Sequence, residues 1–390
     1  MKRIMIATGE ASGDMHGAKV IDAVRSLDPE VEFLGVGGRQ MKAAGCKIII
    51  PSEELAVMGL VEVIGHLPVV LRSLFQLKRL LNGPQRPDAL LLIDSPEFNL
   101  RLAKHAKHAG VPVLYYVSPQ VWAWRRGRVK KIASVVDKLA AIFPFEPDFY
   151  KGQDIDVRYV GHPLLDEVKD LTNRAVLLSR YNIDPKTPIV GLFPGSRRNE
   201  LKFMLDTLVK TAQQIQAKKP TIQFLVPVAS TLTQDEIAQK FPADMPISYI
   251  RSDDASIYDV ANACDAIITV SGTVTLQIAL VGTPMVIFYK LAPLSYAIGK
   301  RLIKVDHIGL ANIVAEKRIV KEFIQHEATA DNLSTEAIAL LDQPDYANSV
   351  RHELGRVQNK LGAPGCSLRV AEMLLAMTTK TGRESTVNNE

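Results

Sequence analysis

The chain has 390 residues, of which 47% are hydrophobic and 23% charged, and its formal net charge is +5. This length predicts two domains, and the composition is typical of a soluble globular protein. There is no run of eighteen uncharged apolar residues, which excludes a transmembrane helix. The start turns polar too early for a signal peptide, so the sequence predicts a cytoplasmic protein. The mild positive charge permits an anionic partner without identifying one.

The first half of the sequence predicts strands that alternate with helices, with glycines where strands end. The predicted strands are residues 3–8, 31–36, 47–50, 89–93, 111–117, 138–143 and 157–160. This alternation predicts an α/β fold with a doubly wound parallel sheet, in which ligands bind at the carboxyl ends of the strands. The loop Gly9–Asp14 follows the first strand. It either contacts a ligand there or is a plain turn in which Ser12 caps the next helix.

Residues 61–81 form an unusually apolar segment. From Leu67 onward, apolar residues recur at helical spacing, and Arg72, Lys78 and Arg79 add positive charge. A helix of this composition is buried, paired with another helix, or lies at a membrane surface. The sequence leaves burial and membrane contact both open.

Asp94 directly follows the predicted strand at 89–93. Pro96 suits the first position of the next helix, with Ser95 as its N-cap and Gly110 at its end. This places Asp94 at the carboxyl edge of the sheet, where a carboxylate is a candidate general base. A second capping carboxylate, stabilised by the helix dipole, is an equally good interpretation of the same pattern.

Both tryptophans, Trp122 and Trp124, stand just before a run of five arginines and lysines at 125–131. Aromatic and cationic residues together can bind nucleic acid. A single patch in a nearly balanced chain favours a solvated helix beside a packed tryptophan pair instead. Anionic lipid or a substrate phosphate would use the same residues.

The second half, after a linker at about 161–180, predicts strands at 189–193, 222–226, 247–250, 266–270 and 285–289. Two of them lead through a glycine turn into a helix, at Gly195–Arg197 and at Ser271–Thr273. Backbone N–H groups at a helix start, a glycine and a guanidinium together suit a phosphate. Each turn alone could also be an ordinary strand-to-helix connection with solvated side chains.

The sequence predicts no metal site and no hydrolase motif. HExxH, paired CxxC, GxSxG and GxxxxGK[ST] are absent from the sequence. His105 and His108 are three residues apart on a predicted helix but have no third ligand in view. The three cysteines are best interpreted as structural thiols.

Seven motifs, in this order along the chain, resemble the lipid-A-disaccharide synthase family. They are GEASGD at 9–14, LAVMGLVEV at 55–63, IDSPEFN at 93–99, YVSPQVWAWR at 116–125, VGHP at 160–163, PGSR at 194–197 and SGT at 271–273. The resemblance implies a GT-B type glycosyltransferase, with two Rossmann-like doubly wound domains that face each other across a cleft. It implies an acceptor and membrane-facing domain at 1–165, a UDP-sugar-binding domain at 166–362, and a C-terminal helix and tail at 363–390 that could pack on the first domain.

The resemblance also implies a reaction in lipid A biosynthesis. UDP-2,3-diacylglucosamine would donate its sugar, with inversion, to 2,3-diacylglucosamine 1-phosphate (lipid X). The products would be a β-1,6-linked disaccharide 1-phosphate and UDP. Asp94 would be the catalytic base, and no cofactor or metal is expected.

The other site residues implied by the resemblance bind substrate. They are Glu10, Ser12, Gly13, Gly195, Ser196, Arg197, Ser271, Gly272, Thr273, Gln277, Asn312 and Gln325. The sequence departs from the family at Gln277, where a ribose-binding Glu is common, and at Ala311, where Pro is common. The neutral amide of Gln277 loses a charge-assisted hydrogen bond.

The implied substrates are acylated, so the enzyme must take them from a bilayer. The apolar segment at 61–81 would then contact the membrane surface. The resemblance therefore implies a protein that is peripheral on the cytoplasmic face of the inner membrane, without nucleic acid as a partner. The membrane-facing residues would be Val61, Val63, Ile64, Leu67, Val70, Leu71 and Leu74. A UDP-sugar 2-epimerase on the same fold, a glycosyltransferase acting on a peptidoglycan lipid, and a non-enzymatic binder of lipid or nucleic acid remain alternatives. The oligomeric state is left open.

Overall fold

The computed structural model describes residues 1–55, 62–122, 127–168, 170–292, 296 and 306–378, with the backbone alone for residues 62–67 and 199–200. The chain divides into two compact units. Unit 1 is Met1–Asp166 together with Gly362–Glu390, and unit 2 is Glu167–Leu361. Each unit has its own hydrophobic core.

Unit 1 contains, in its described residues, a parallel sheet of seven strands in the order β3-β2-β1-β4-β5-β6-β7. The strands are β1 (Arg3–Thr8), β2 (Glu32–Gly37), β3 (Lys47–Pro51), β4 (Ala89–Ile93), β5 (Val113–Tyr116), β6 (Lys138–Ala141) and β7 (Asp156–Tyr159). The helices are α1 (Ala11–Leu27), α2 (Arg39–Ala43), α3 (Glu62–Asn82), α4 (Pro96–His108), α5 (Arg128–Ala133) and, near the C-terminus, α14 (Cys366–Thr378). Helix α14 packs against α1, and Arg369 donates to the carbonyl of Val160 at 2.8 Å.

Unit 2 contains, among its described residues, a parallel sheet of six strands in the order β10-β9-β8-β11-β12-β13. The strands are β8 (Ile189–Phe193), β9 (Gln223–Val228), β10 (Ile247–Arg251), β11 (Ala266–Val270), β12 (Met285–Tyr289) and β13 (Glu322–Ile324). The helices are α6 (Arg174–Ser179), α7 (Arg198–Lys218), α8 (Gln234–Ala238), α9 (Ile257–Ala263), α10 (Val274–Val281), α11 (Leu310–Ala315), α12 (Ala330–Asp342) and α13 (Pro344–Lys360).

The predicted fold class, α/β with two Rossmann-like doubly wound sheets, is confirmed. In both sheets the strand order reverses next to the first strand of the unit, which is the topology of that class. The strand predicted at 138–143 ends instead at Ala141. The N–H groups of Ile142 and Phe143 leave the ladder and donate to the carboxylate of Glu146, at 2.8 and 3.0 Å.

The predicted loop Gly9–Asp14 is shorter than expected, because α1 already begins at Ala11. Glu10 occupies the N-cap position without a capping hydrogen bond from its side chain. Ser12 lies inside the first turn, so the interpretation that it caps the helix is wrong. Gly13 is needed for packing, since an added Cβ would lie 1.9 Å from the hydroxyl oxygen of Thr8.

Asp14, the last residue of GEASGD, joins α1 to the start of α2. Its carboxylate accepts from the backbone N–H groups of Gly38 at 2.6 Å, Gln40 at 2.9 Å and Met41 at 3.2 Å. The side chain is only 5% exposed. A buried carboxylate at a helix N-terminus is stabilised by such backbone donors, which have no acceptor within the helix. Asp14 therefore holds the turn after β2 in place.

Helix α3 has one face in the core of unit 1 and one outside it. Leu74 is buried and Val70 is half-buried against the same core, so their predicted membrane-facing role is wrong for Leu74 and at most partial for Val70. Leu71 is 53% exposed, and so is Phe75 at 62%. Val61, and the side chains of Val63, Ile64 and Leu67, lie outside what the structure describes.

Among the described residues, no helix combines the length and the apolar character required to cross a membrane.

Replacing Asp14 with Asn should destabilise unit 1 without touching any predicted substrate contact. The amide keeps the shape but loses the charge and turns an NH2 group toward N–H donors, at an expected cost of about 2–3 kcal/mol. Chemical denaturation of the purified variant measures this. Asp22→Asn, an exposed position on the same helix, is the matched control and should change stability by less than about 0.5 kcal/mol. Equal effects at both positions would contradict the role given to Asp14.

Candidate active site

The carboxyl ends of β4 and β5 carry an unusual backbone conformation. Asp94, Ser95 and Val117 all have left-handed φ angles, of 49°, 46° and 54°. Left-handed backbone is unfavourable for side chains other than glycine, most of all for a β-branched valine, and it persists only where surrounding contacts enforce it. Because β4 and β5 are paired in parallel, these residues lie side by side at one edge of the sheet.

Two buried side chains hold the main chain of Asp94. Its carbonyl oxygen accepts from the amide nitrogen of Asn99 at 2.7 Å and from the hydroxyl of Tyr115 at 2.6 Å. The same amide nitrogen lies 3.1 Å from the carbonyl oxygen of Ile93 and 3.3 Å from that of Ala7, which ties the ends of β4 and β1 together. Both Asn99 and Tyr115 are fully buried. These contacts stabilise the strained turn and use none of the carboxylate oxygens of Asp94.

The carboxyl group of Asp94 has properties suited to a base. Burial, and secondly the negative charge of Glu10, raise its pKa to about 6, while the backbone N–H of Ser95 opposes this shift. At neutral pH the group is still ionised, but it holds a proton more strongly than an exposed aspartate. A carboxylate whose pKa lies just below the working pH is an effective general base.

The Gly9 loop is hydrogen-bonded to the Asp94 turn. The backbone N–H of Gly9 donates to the hydroxyl oxygen of Ser95 at 3.1 Å. Ser95 stands at the position before α4, as predicted, but its side chain makes no capping bond. A side chain at Gly9 would lie 2.6 Å from this hydroxyl, so the glycine permits the close approach. The structure thus brings the predicted residues Glu10, Gly13 and Asp94 to the same sheet edge.

The structure also shows the surroundings of Glu97 and Trp122, which lie close to this edge in sequence. Glu97 is exposed and forms an ion pair with Arg128, which makes it a poor candidate for the base. Trp122 is 4% exposed and its ring packs edge-on against Phe143 and Phe145, with centroids 5.9 and 5.4 Å apart. A buried ring cannot stack on nucleic acid bases. Trp124, Arg125 and Arg126 lie outside the described residues.

Sequence reasoning missed three buried polar residues at this edge. Asn99 belongs to the motif IDSPEFN, but the motif did not indicate what the Asn99 side chain contacts. No feature of the sequence indicated a role for Tyr115. Glu146 is also buried, and this burial raises its pKa to about 7. It lies near Ser118 and Trp122, so it joins the turns after β5 and β6.

In unit 2, the two glycine turns follow neighbouring strands. Because β8 and β11 are paired in parallel, the turns Gly195–Arg197 and Ser271–Thr273 leave the same edge of the sheet. Gly195 and Gly272 have positive φ angles of 97° and 153°. Nothing lies within 4 Å of a Cβ added at Gly272, so that glycine is required by its backbone conformation and not by crowding.

The two arginines after Gly195 differ in their surroundings. Arg198 donates through Nε to Glu236 at 2.6 Å, and this bond lowers the pKa of Glu236 to about 2. The charge of Arg198 is therefore committed to a carboxylate. Arg197 precedes α7 as its N-cap residue and is exposed, as is Ser196. On the other turn, the hydroxyl of Ser271 donates to the carbonyl of Ile308 at 2.7 Å, while Thr273 makes no capping bond.

Three predicted substrate-binding amides are engaged within unit 2. Asn312 is fully buried, and its amide makes four hydrogen bonds, to the backbone of Ile319 and Val320 and to the carboxylate of Glu322. The predicted contact of this side chain with substrate is wrong, because no polar atom is left for a ligand. Gln325 bonds both the N–H and the carbonyl of Leu291, at 3.0 and 3.1 Å. Asn312 and Gln325 thus position loops.

Gln277 lies on α10 and is half-buried. Its side chain is hydrogen-bonded to the hydroxyl of Tyr258, which also donates to Glu167 at 3.1 Å. The departure from a glutamate at this position is therefore accommodated by a tyrosine within the same unit.

Within the described residues, no group of three or more His, Cys, Asp or Glu side chains is placed to hold a metal ion.

Comparison with known proteins extends over almost the whole chain. A family model for lipid-A-disaccharide synthetase matches residues 4–369. Lipid-A-disaccharide synthase of Syntrophotalea carbinolica is 59% identical over 374 residues, which cover 96% of this chain and 95% of that protein. The resemblance inferred from the sequence motifs is confirmed.

Solved structures resemble the fold at low sequence identity. A putative UDP-N-acetylglucosamine 2-epimerase from Listeria monocytogenes has a TM-score of 0.67 at 13% identity, covering 98% of both chains. The calicheamicin glycosyltransferase CalG4 has a TM-score of 0.62 at 15% identity, covering 98% of this chain and all of that one. These two likenesses establish the GT-B type fold but do not separate the two activities. The family model and the sequence relative distinguish the two activities. The chain therefore belongs to the lipid-A-disaccharide synthase family and is a glycosyltransferase of lipid A biosynthesis.

Proposed function

We propose that this enzyme transfers the sugar of UDP-2,3-diacylglucosamine to the 6-hydroxyl of 2,3-diacylglucosamine 1-phosphate. The products are the β-1,6-linked disaccharide 1-phosphate and UDP. Family membership supports the reaction class, and the observation that carries the mechanism is the carboxylate of Asp94, held on a strained turn with a raised pKa.

The reaction proceeds by a single displacement with inversion. Asp94 takes the proton of the acceptor hydroxyl while that oxygen forms its bond to the anomeric carbon of the donor. The bond between this carbon and the diphosphate oxygen breaks, and UDP leaves with the electron pair. The hydrogen bonds from Asn99 and Tyr115 fix the main chain of Asp94. They limit the motion of Asp94 before the proton is transferred.

Unit 2 supplies the donors for the leaving diphosphate. The turns Gly195–Arg197 and Ser271–Thr273 lie at one sheet edge and open helices whose first N–H groups lack intrahelical acceptors. Such preorganised donors stabilise the charge that develops on a leaving group. Arg197, the N-cap residue of α7, adds a guanidinium to these donors. With this set of donors we expect the reaction to need no bound metal.

We place the enzyme on the cytoplasmic face of the inner membrane as a peripheral protein. Both proposed substrates carry acyl chains, which are anchored in a bilayer. Leu71 and Phe75 expose apolar side chains on α3, next to cationic residues of the same helix. An apolar and cationic helix surface binds at the boundary of headgroups and acyl chains without spanning the bilayer.

Incubation with the diacylated donor and lipid X, followed by chromatography of lipids and nucleotides, tests the reaction. We expect the disaccharide 1-phosphate and UDP in equal amounts. A 2-epimerised UDP-sugar formed without acceptor would support the alternative 2-epimerase activity. Folded protein that yields no disaccharide contradicts the proposal.

Asp94→Asn should lower kcat by about 10²–10⁴-fold, the usual loss for a general base. In the wild type, Asp94 is protonated and inactive below its pKa, so kcat/KM should rise with pH through about 6 and then level off. The variant should lack this rise. Because ionising a group with a raised pKa costs folding stability as the pH increases, Asp94→Asn should be no less stable than the wild type at neutral pH. A near-normal rate would transfer the role to another carboxylate, with Glu10 as the next candidate.

Arg197→Ala should depress kcat by about 10²-fold as well as weaken donor binding, as expected for a group that binds charge developing in the transition state. Arg198→Ala is the matched control. It removes the same charge at the next residue, from a side chain that is hydrogen-bonded to Glu236. Steady-state kinetics on both variants gives the comparison. A change in KM alone for Arg197→Ala would show that the residue binds only the ground state.

A further inference from the structure

A groove on the surface of unit 1 lies between α3 and α4. It has a volume of about 560 Å3. Leu71, Leu74 and Lys78 line it from α3, at a spacing that places them on one face of that helix. Arg101, Lys104 and His105 line it from α4, again on one face. Two stripes of side chains therefore meet across the groove, and both of them carry positive charge.

These charges are not balanced by nearby carboxylates. Helix α3 contains one acidic residue, Glu62, sixteen residues before Lys78, and α4 contains only Glu97, which pairs with Arg128. In the part of the chain that the structure describes, no carboxylate forms an ion pair with Lys78, Arg101 or Lys104. Like charges that face each other destabilise a surface unless an anion lies between them.

The titration of His105 is in accord with a positive groove. Its pKa is lowered, first by burial and then by the charges of Lys78, His108 and Lys104. An anion in the groove would reverse the last three effects, so the ring is an internal probe of occupancy.

The apolar residues indicate what kind of anion the groove takes. Leu71, which lines the groove, is exposed, and Phe75 is exposed one helical turn beyond it. A free phosphate would make no use of this apolar margin, whereas a phospholipid offers a phosphate and acyl chains together. We propose that the groove between α3 and α4 binds the phosphate headgroup of an anionic phospholipid in the membrane surface.

This inference rests on the proposed peripheral docking and extends it from a general attraction to a defined site. The test uses Arg101→Gln combined with Lys104→Gln, which we call the groove variant. The control is Arg39→Gln combined with Lys42→Gln on α2, which removes the same two residue types at the same spacing from a helix packed against α1. Neither pair is assigned to the catalytic or substrate-binding residues.

The first measurement is co-sedimentation with vesicles of phosphatidylcholine alone and of phosphatidylcholine mixed with phosphatidylglycerol. Each cation near an anionic surface contributes a factor of about five to binding, so the groove variant should bind the mixed vesicles about 25-fold more weakly than the wild type. The control should lose much less. Equal losses in the two double variants would overturn the site, because they would show an attraction spread over the whole surface.

The second measurement is an NMR titration of the His105 ring with soluble short-chain lipids. Dihexanoyl phosphatidylglycerol should raise the pKa of His105 in the wild type and not in the groove variant, and dihexanoyl phosphatidylcholine should have a weaker effect. If glycerol 3-phosphate acts as strongly as the anionic lipid, the assignment to a lipid is overturned. If no ligand shifts the ring, the site itself is overturned.

Failure of the docking proposal and of the reaction can be recognised separately. Leu71→Ser combined with Phe75→Ser should reduce binding to phosphatidylcholine vesicles if the apolar face docks, whatever the groove binds. Disaccharide formation from detergent-dispersed substrates should be unchanged in the groove variant, because its residues are assigned no part in catalysis. A loss of turnover in detergent would contradict a role confined to the membrane surface.

Discussion

The candidate active site depends on how the main chain of Asp94 is held. A residue that follows a buried parallel strand would ordinarily continue in an extended or helical conformation, but here Asp94 and Ser95 are both left-handed. The carbonyl oxygen of Asp94 accepts from two side chains that are themselves fully buried, Asn99 from α4 and Tyr115 from β5. Removing either donor would leave a buried carbonyl short of a partner, which is costly. The turn is therefore determined by the core beneath it.

In unit 2, too, the turns at the sheet edge have a special backbone conformation and side chains hold the neighbouring backbone, but different residues do this. There the conformation is provided by Gly195 and Gly272, and side-chain amides secure the neighbouring loops, buried Asn312 through four hydrogen bonds and half-buried Gln325 through two. In each unit the parallel sheet brings two turns to one edge, because neighbouring strands must end together. In the proposed mechanism, Asp94 at the edge of unit 1 acts as the base, and the two glycine turns at the edge of unit 2 bind the leaving diphosphate. This division suits a reaction in which one group removes a proton and others stabilise a leaving group.

The local sequence pattern was enough to predict strands that are uniformly buried. It was not enough to predict hydrogen bonds between residues that are distant in sequence. The strands β1, β4, β8, β11 and β12 match their predicted bounds, because strands buried on both faces are continuous apolar runs ended by proline, glycine or polar residues. The three residues of β13 are too few to show a period. Tyr115 could not be linked to Asp94, twenty-one residues away, since that hydrogen bond depends on the pairing of two strands. Asn312 was assigned to substrate by resemblance alone, and a motif does not distinguish a contact from its support.

Helix α3 shows why a hydrophobic pattern underdetermines function. Its leucines satisfy one helical period, yet Leu74, Leu77 and Leu81 are buried while Leu71 and Phe75 are exposed. Burying a leucine contributes about 1.5–3 kcal/mol, so the inner residues account for the stability of the helix. The outer ones contribute little to folding and are free to serve a surface. Because the two sets are separate, the exposed face and the cationic groove beside it can be altered while the core that positions Asp94 stays intact.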